Sequence, residues 1–313
     1  MIIIFFSMIT FDFFLFRVMP GDPTAILIGN PNITEEARRR LIHQFGLDKP
    51  LWVQYVLFIK NLLKGNFGVS FYFTGEPVAN IIFGSKMINT LALMGSSTAL
   101  SIVIGILLGA FSAWRRGKKI DLGLLVTSMA LLSSPSFFIG MILLLIFGYY
   151  LHVIPIGGTV TAGATYPNFI SYLLDYLHHL IAPMTTLTLI FCGQYYLFMR
   201  NSMLDALTQD YITMALARGI PTRRIVYKHA AKNAMLPLIS VIAINSASIV
   251  SGAILTETVF SWDGIGRLLF LSVMSKDYPV LQGLFIIFSV AVLLANFIAD
   301  ILYGYLDPRI RYE

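Results

Sequence analysis

The sequence predicts an all-α integral membrane protein with about six transmembrane helices, a helical cytoplasmic loop and a long first outer loop. Of its 313 residues, 57% are hydrophobic and only 12% are charged, whereas soluble domains carry about 25% charged residues. The Lys and Arg residues lie in the gaps between apolar runs. This placement favours membrane topology over nucleic-acid binding as the reason for the net charge of +6. Because Cys192 is the only cysteine, the chain has no internal disulfide and no Cys-based metal site.

Six apolar runs come close to the roughly 20 residues that a helix needs to cross a bilayer. They cover about residues 1–18, 88–113, 122–150, 180–199, 236–256 and 280–305. Together they predict one transmembrane domain that takes in the whole chain, 1–313. The first run lacks a basic start and a small-residue cleavage site, so a membrane anchor is favoured over a signal peptide. Pro135 predicts a kink in the third run.

The positions of Lys and Arg predict which side each loop faces, because cytoplasmic loops carry an excess of them. Twelve lie in two connections, 114–121 and 200–235, and in the C-terminal tail. Apart from the long first connection, where the rule is weak, the opposite side holds only Arg267 and Lys276. Both termini and the 200–235 loop are therefore predicted to be cytoplasmic. The loops predicted to face outward are 19–87, 151–179 and 257–279.

The 200–235 loop reads as two short helices joined by a tight elbow. Asp210 can cap the first helix, and Gly219 suits its end. Pro221 fits the start of the second helix, and Pro237 marks the beginning of the fifth apolar run. Cations at four-residue spacing form a charged stripe on the second helix: Arg224, Lys228 and Lys232. Two interpretations stay open, a basic helix on anionic lipid headgroups and a docking element for a cytosolic partner.

Residues 211–237, "YITMALARGIPTRRIVYKHAAKNAMLP", resemble the "EAA" loop of ABC-importer permeases, in the version carried by dipeptide, oligopeptide and nickel permeases. As in that version, the name-giving Glu is missing, and Thr213 and Met214 stand where Glu and the first Ala would be. Further segments resemble the family in the same order along the chain. They are "MPGDP" (19–23), "FGLDKPLWVQYVLFIKNLLKGNFGVSF" (45–71), "SSPSFFIG" (133–140), "VIPIGG" (153–158), "TETVFSWDGIGRLL" (256–269), "DYPVLQG" (277–283) and "DILYGYLDPRIRY" (300–312). In the 256–269 segment, Asp263 stands where Pro is usual.

The resemblance implies a pore-forming subunit of an ATP-driven importer of dipeptides, oligopeptides or similar solutes, located in the inner membrane. It implies that one group of loop residues couples to the ATPases. This group comprises Asp210, Ala215, Ala217, Arg218, Gly219, Pro221, Arg223, Arg224, Lys228, His229, Asn233 and Pro237. The implied partners are a second related permease or a copy of this chain, two ATP-binding subunits, an external solute-binding protein and membrane lipid. ATP and Mg would be bound by the partner subunits, because this chain has no G-x-x-x-x-G-K-[ST] loop and needs no cofactor of its own.

Other interpretations of the whole chain remain. The same machinery could import oligosaccharides or nickel. An ion-coupled secondary transporter would need midplane charges and repeats, and an intramembrane hydrolase would need a Ser–His or twin-Asp site; the apolar runs offer little of either. Residues in two outer loops are candidates for docking the solute-binding protein, the alternative being a solvated cap over the pore. These candidates are Arg38, Arg39, Arg40, Trp262, Asp263, Gly264 and Arg267.

Several residues within or near the apolar runs allow both a functional and a structural interpretation. Asp12 and Asp300 are ionisable groups in or near spans, although neither is expected to contact substrate. The adjacent His178 and His179 point about 100° apart on a helix, so a shared metal ion is not expected. The G-x-x-x-G pair could form a dimer face, but close packing within the subunit is favoured; the pair is Gly105 and Gly109. Hydroxyl residues could line a polar route or bond to their own helices; they include Ser96, Ser97, Thr98, Ser101, Thr127 and Ser128.

Overall fold

The computed structural model describes residues 2–18, 36, 49–73, 75–246 and 249–306, and these residues are mostly helical. The helices are α1 (Ile2–Val18), α2 (Leu51–Leu63), α3 (Val78–Phe83), α4 (Ser85–Trp114), α5 (Lys119–Ser133), α6 (Ser136–Leu143), α7 (Phe169–Leu207), α8 (Asp210–Ala217), α9 (Thr222–Arg224), α10 (Ala231–Ser246), α11 (Ile254–Val259), α12 (Ile265–Met274) and α13 (Tyr278–Leu306). Two π-helical segments, Leu144–Tyr150 and Ile225–Ala230, continue α6 and α9. The β-structure of the described residues is one isolated bridge, between Val69 and Pro77.

Within this described part, three helical stretches are long and apolar enough to cross a membrane. They are Val78–Trp114, Phe169–Leu207 and Tyr278–Ile298. The third predicted span consists of α5 and α6 with its π-helical extension, and the two halves meet at an angle of 103°. This bend lies at Ser134 and Pro135, where proline was expected to interrupt the helix. The helices at the first and fifth predicted spans, α1 and α10, have 17 and 16 residues, so the total of six spans stays a prediction.

The chain divides into two compact units, of which unit 1 contains residues 1–89 and 263–293. In unit 1, α1 packs its aromatic face against α2 and α13. The ring of Phe13 lies 5.3 Å from that of Tyr55, and the ring of Phe16 lies 5.6 Å from that of Phe285. The buried Asp277 carboxylate accepts hydrogen bonds from the Ser70 hydroxyl and from two backbone N–H groups of the 71–72 turn. This carboxylate holds the 66–77 loop to the beginning of α13.

Unit 2 contains residues 90–262 and 294–313, and α7 is its longest helix. With 39 residues, α7 extends about 58 Å, roughly twice the thickness of the hydrocarbon core of a bilayer. Its contact with α4 is close because Gly105 and Gly109 have no side chains. A Cβ added to Gly105 would lie 2.6 Å from the Tyr195 Cβ, and one added to Gly109 would lie 2.7 Å from the Tyr196 carbonyl oxygen. The G-x-x-x-G pair is therefore used for packing within the subunit.

The fifth predicted span, 236–256, is not one continuous helix. Helix α10 ends at Ser246, and the short α11 begins only at Ile254. Between them, Gly252 has a φ of +74°, a left-handed conformation that glycine adopts without steric cost. The apolar run did not reveal this break, because hydropathy does not distinguish a helix from a turn of equally apolar residues.

The hydroxyl side chains of α4 bond mainly within that helix. Ser96 and Ser97 each donate a hydrogen bond of 2.6 Å to a carbonyl one turn earlier, and Ser101 donates one of 2.8 Å to Thr98. These bonds favour the structural interpretation of the hydroxyl residues over a polar route along α4.

Candidate functional site

The elbow predicted at Gly219 is present and has a defined hydrogen-bond geometry. Gly219 has a φ of +72°, its N–H donates to the Leu216 carbonyl at 2.9 Å, and the Ile220 N–H donates to the Ala215 carbonyl at 3.2 Å. This pair of bonds is the Schellman arrangement, in which a left-handed glycine ends a helix and satisfies its last carbonyls. Ile220 then packs against the core of unit 2. The sequence Gly219–Ile220–Pro221 thus stops α8 and turns the chain in a fixed direction.

Two predictions about the flanking helices need correction. Asp210 is the first residue of α8 and not its cap; Gln209 precedes the helix and makes no side-chain cap bond. Asp210 still places a negative charge in the first turn, where the helix dipole favours it. The second helix is not short: Thr222–Arg224, the π-helical segment and α10 follow one another without a gap up to Ser246. Pro237 lies inside α10 and does not mark its beginning, since membrane helices tolerate interior proline when neighbouring groups satisfy the freed carbonyl.

We call residues 208–234 the coupling segment, after the role that the resemblance predicts for this part of the chain. One face of it is apolar and buried. Its buried residues are Ile212, Ala215, Ile225, Val226, Ala230 and Ala234. They form a single cluster with residues of α4 and α7, namely Ala110, Ala113, Tyr195, Met199, Met203 and Ala206. The coupling segment is therefore packed onto the two long helices of unit 2 rather than attached only by its ends.

The opposite face of the coupling segment is exposed and basic. Its exposed residues from the predicted group are Asp210, Ala217, Arg218, Gly219, Pro221, Arg223, Arg224, Lys228 and Asn233, while His229 is half-buried. Five residues line a depression of about 520 Å³ on this face: Pro221, Arg223, Arg224, Tyr227 and Lys228. Such a surface can receive an anionic or hydrogen-bond-accepting group of a partner.

An aromatic contact joins the coupling segment to the end of α4. The Trp114 and Tyr227 rings meet edge to face, with their centroids 6.2 Å apart. The Arg115 guanidinium lies 4.9 Å from the centre of the Trp114 ring, within the range of a cation–π interaction. Tyr227 also lines the basic depression, so this contact connects the exposed face of the coupling segment to α4.

An ion pair between the buried Asp121 and the partly buried Arg200 lies behind the same region. Arg200 donates two hydrogen bonds to Asp121, from Nε to Oδ1 at 2.7 Å and from Nη2 to Oδ2 at 2.9 Å. Ser112 donates to Asp121 at 2.6 Å, and the Gly117 N–H donates at 3.1 Å. The Tyr196 hydroxyl lies 2.7 Å from that of Ser112. Sequence reasoning counted Arg200 only as a cytoplasmic cation and passed over Asp121; the available signal was one acidic residue directly before an apolar run.

The residues predicted to dock the solute-binding protein differ in burial and in the unit to which they belong. Arg38, Arg39 and Arg40 lie outside the described residues. In unit 2, Trp262 is fully buried and its ring lies 5.3 Å from that of Tyr176, so its side chain is not exposed for contact with a binding protein. In unit 1, the partly exposed Asp263 forms an ion pair with Lys86. Gly264 is buried at the start of α12, and Arg267 is half-buried.

The remaining ionisable candidates show no catalytic or metal-binding arrangement among the described residues. Asp12 is buried, and neither of its oxygens has a hydrogen-bond partner within the described part of the chain; the side chain of Asp300 lies outside it. His178 and His179 each bond to a different backbone carbonyl, at 3.0 and 2.9 Å. Their rings are inclined at 77° to each other, and their separate carbonyl partners fit two side chains that leave the helix in different directions.

The loop before α7, predicted to face outward, is fastened by the carboxylate of Asp175. Asp175 accepts hydrogen bonds from the Thr161 N–H at 2.7 Å, from the Thr161 hydroxyl at 2.8 Å and from the Tyr166 hydroxyl at 2.6 Å. The bond to the Asp175 carboxylate raises the pKa of Tyr166 above its usual value. This loop is therefore held to α7 at the end away from the coupling segment.

Comparison with known proteins places these features in a family. Residues 105–312 match the family described as "Binding-protein-dependent transport system inner membrane component", and residues 1–92 match its N-terminal part. The chain is 37% identical over 301 residues to the oligopeptide transport system permease protein AppB of Bacillus subtilis, covering 96% of this chain and 93% of that one. It is 34% identical over 322 residues to the di/tripeptide permease protein DppB of Pseudomonas aeruginosa, covering 99% and 95%.

A solved structure shares the fold. A chain of the inward-facing methionine ABC transporter MetNI superposes with a TM-score of 0.55 at 16% sequence identity. The match covers 71% of this chain and 95% of that one. At this identity the likeness concerns the fold alone.

Proposed function

This chain belongs to the family of inner-membrane components of binding-protein-dependent transport systems, and on that premise we propose that it imports dipeptides or oligopeptides. As a permease of the ABC-importer type it is a translocase subunit and not an enzyme. The relatives that carry peptide names match it over nearly their whole length. The substrate class rests on that likeness, because the described residues identify no solute site.

The working complex contains this chain, a second permease subunit, two ATP-binding subunits and an external solute-binding protein. ATP and Mg belong to the ATP-binding subunits. The chain lies in the inner membrane with both termini and the coupling segment in the cytoplasm. The concentration of Lys and Arg in the 114–121 and 200–235 connections supports this orientation. ATP binding closes the ATP-binding subunits, and the pore then changes from inward to outward access.

The coupling segment is the element that receives the ATPase movement, and the observation that carries this proposal is the Gly219 elbow. The elbow fixes α8 against the helix that follows, with the apolar face packed on α4 and α7 and the basic face free. A surface that is exposed on one side and anchored to membrane helices on the other can transmit force. A helix that only lay on lipid headgroups would not need a fixed elbow.

The test replaces Gly219 by Val and by Asn in the assembled complex, and measures peptide uptake and peptide-stimulated ATPase activity. A Cβ at position 219 meets no atom within 4 Å, so the cost comes from the positive φ alone, about 1–3 kcal/mol for a β-branched residue. Gly219→Val should uncouple ATP hydrolysis from transport. Gly219→Asn should couple nearly normally, because Asn tolerates this conformation. Lys232→Gln should have a small effect, since exposed ion pairs contribute only about 0–1 kcal/mol.

Normal coupling by Gly219→Val in a correctly assembled complex would refute the role of the coupling segment and leave the lipid-facing basic helix as its explanation. The substrate is tested separately, by titrating the partner solute-binding protein with dipeptides, longer peptides, oligosaccharides and Ni²⁺. Binding of an oligosaccharide or of nickel with no binding of peptides would replace the proposed substrate and leave the importer mechanism intact.

A further inference from the structure

We propose that Asp121 and Arg200 are positioning residues that hold α4, α5, α7 and the coupling segment together as one rigid body during the ATP cycle. This inference rests on the proposed role of the coupling segment. Neither residue lies on the exposed basic face, and their side chains are only 6% and 14% exposed. Their role concerns which helices follow the coupling segment when it moves.

The contacts join three helices at one point. Asp121 lies in the first turn of α5, Arg200 lies on α7, and Ser112 lies near the end of α4. The Gly117 N–H, in the turn between α4 and α5, completes the set. Four donors surround one carboxylate, so every element of this hairpin is tied to α7.

The geometry of this pair is directional as well as electrostatic. A guanidinium that bonds through Nε and Nη2 to both oxygens of a carboxylate fixes the plane and the distance of the two groups. A lysine at position 200 would keep the charge but could not reproduce this planar arrangement. Buried ion pairs add little net stability compared with apolar groups of similar volume, and their better-supported role is to specify one arrangement.

The pair lies directly behind the core that carries the coupling segment. Met199 and Met203, on either side of Arg200 along α7, are fully buried in the cluster that also contains Ile212 and Ile225 of the coupling segment. The Trp114–Tyr227 contact makes a second connection to the end of α4. A displacement of the coupling segment must therefore carry the cytoplasmic ends of α4, α5 and α7 with it. The flexible point should lie beyond this body, and Gly252, with its φ of +74°, is the candidate within unit 2.

The first test separates positioning from stability. Arg200→Lys, Asp121→Asn and the double variant Asp121→Asn/Arg200→Gln are assembled with the partner subunits, and thermal stability, basal ATPase activity and peptide-stimulated ATPase activity are measured. Arg200→Lys should keep basal activity and lose about tenfold of the stimulated activity, the equivalent of about 1.4 kcal/mol. The matched control is Arg116→Lys, the same substitution at an exposed position of the same hairpin.

The double variant gives the decisive comparison. Asp121→Asn leaves the partly buried Arg200 without its carboxylate partner, so it should destabilise the complex. The double variant removes both charges and should recover much of the stability. If the pair positions the helices, stimulated activity stays low in the double variant although stability returns. Recovery of stimulated activity in parallel with stability would overturn the proposal, and so would normal stimulation of Arg200→Lys.

The second test measures the rigid body directly. Spin labels are placed at Lys119 on α5 and Lys232 on α10, both exposed, in a Cys192→Ser background of the full complex. The distance between them should be the same in the nucleotide-free and ATP-trapped states, and its distribution should broaden in Arg200→Lys. A label pair between Lys232 and an ATP-binding subunit confirms that the complex has changed state. A shift of the Lys119–Lys232 distance in the wild-type background would overturn the rigid body.

The two proposals fail in different ways. If Gly219→Val couples normally, the coupling segment does not transmit the ATPase movement, whatever the ion pair does. If Gly219→Val uncouples but Arg200→Lys does not, the coupling segment acts without this ion pair, and only the present inference is lost.

Discussion

Replacing Gly109 by alanine tests the close contact between α4 and α7. An added Cβ would lie 2.7 Å from the Tyr196 carbonyl oxygen, 2.8 Å from the Met199 Cβ and 3.0 Å from the Arg200 backbone nitrogen. Comfortable contacts between such atoms begin near 3.5 Å, so α4 and α7 would have to separate by roughly 0.5–0.8 Å. The atoms in the way belong to backbone or to a Cβ, so rotation of a side chain cannot relieve the overlap.

The expected loss of folding stability in Gly109→Ala is the difference between two opposing contributions. Overpacking of a tight contact costs about 1–3 kcal/mol, and replacing an interior helical Gly by Ala returns about 1 kcal/mol of helix propensity. Gly95 lies on the same helix, and a Cβ there would meet no atom within 4 Å. Gly95→Ala should therefore gain helix propensity without creating a steric overlap, and it serves as the matched control. The two variants should differ by about 1–3 kcal/mol in the free energy of unfolding.

The assay is thermal unfolding of the detergent-purified complex, with monodispersity on a sizing column as the readout. At about 2–4 °C for each kcal/mol in a chain of this size, Gly109→Ala should unfold several degrees below Gly95→Ala. Gly105→Ala, with a Cβ 2.6 Å from the Tyr195 Cβ, should behave like Gly109→Ala.

Equal midpoints for Gly109→Ala and Gly95→Ala would refute this reasoning. They would mean that α4 and α7 do not approach as closely as the structure indicates. If Gly109→Ala instead changed only the association with the second permease subunit, the G-x-x-x-G pair would be a subunit interface after all.

Two further substitutions have distinct readouts. Asp277→Asn removes the carboxylate that accepts three hydrogen bonds from the 70–72 turn. Because a buried group left unpaired costs about 1–3 kcal/mol, the 66–77 loop should be held less firmly. Limited proteolysis should then cut this loop faster than in wild type. Tyr227→Leu removes the edge-to-face contact with Trp114, which is worth about 0.5–1.5 kcal/mol. It should reduce the peptide-stimulated ATPase activity modestly. Tyr211→Leu, the same substitution elsewhere on the coupling segment, is measured beside it for comparison.

The features that the sequence predicted well are those with a local cause. The elbow follows from Gly219, Ile220 and Pro221, whose backbone preferences act within three residues. The 103° bend follows from Pro135 in the same way. The close approach of α4 and α7 could be expected from Gly105 and Gly109, although only the structure shows which helix approaches them.

The features that the sequence did not predict depend on distant residues or on backbone geometry that no residue pattern marks. The Asp121–Arg200 pair joins positions 79 residues apart, and no pattern within an apolar run marks it. The continuation of the second helix of the coupling segment into α10 depends on a π-helical stretch, which has no sequence period of its own. The break at Gly252 lies within a run as apolar as its neighbours, so hydropathy could not place it.

Arg200 shows why a count of cations predicts less than the structure does. Together with eleven other Lys and Arg residues it supports the predicted orientation, and removing it from the count would leave that prediction unchanged. Water and counterions screen the exposed cations of the coupling segment from one another. Each of these cations therefore acts nearly independently, and their effects add as a sum of charges. Arg200 cannot act in this way, since its guanidinium is paired with Asp121 and its side chain is only 14% exposed. One residue of the group therefore specifies a geometry, while the others support the predicted orientation in the membrane. Only the contacts made by each side chain distinguish the two roles.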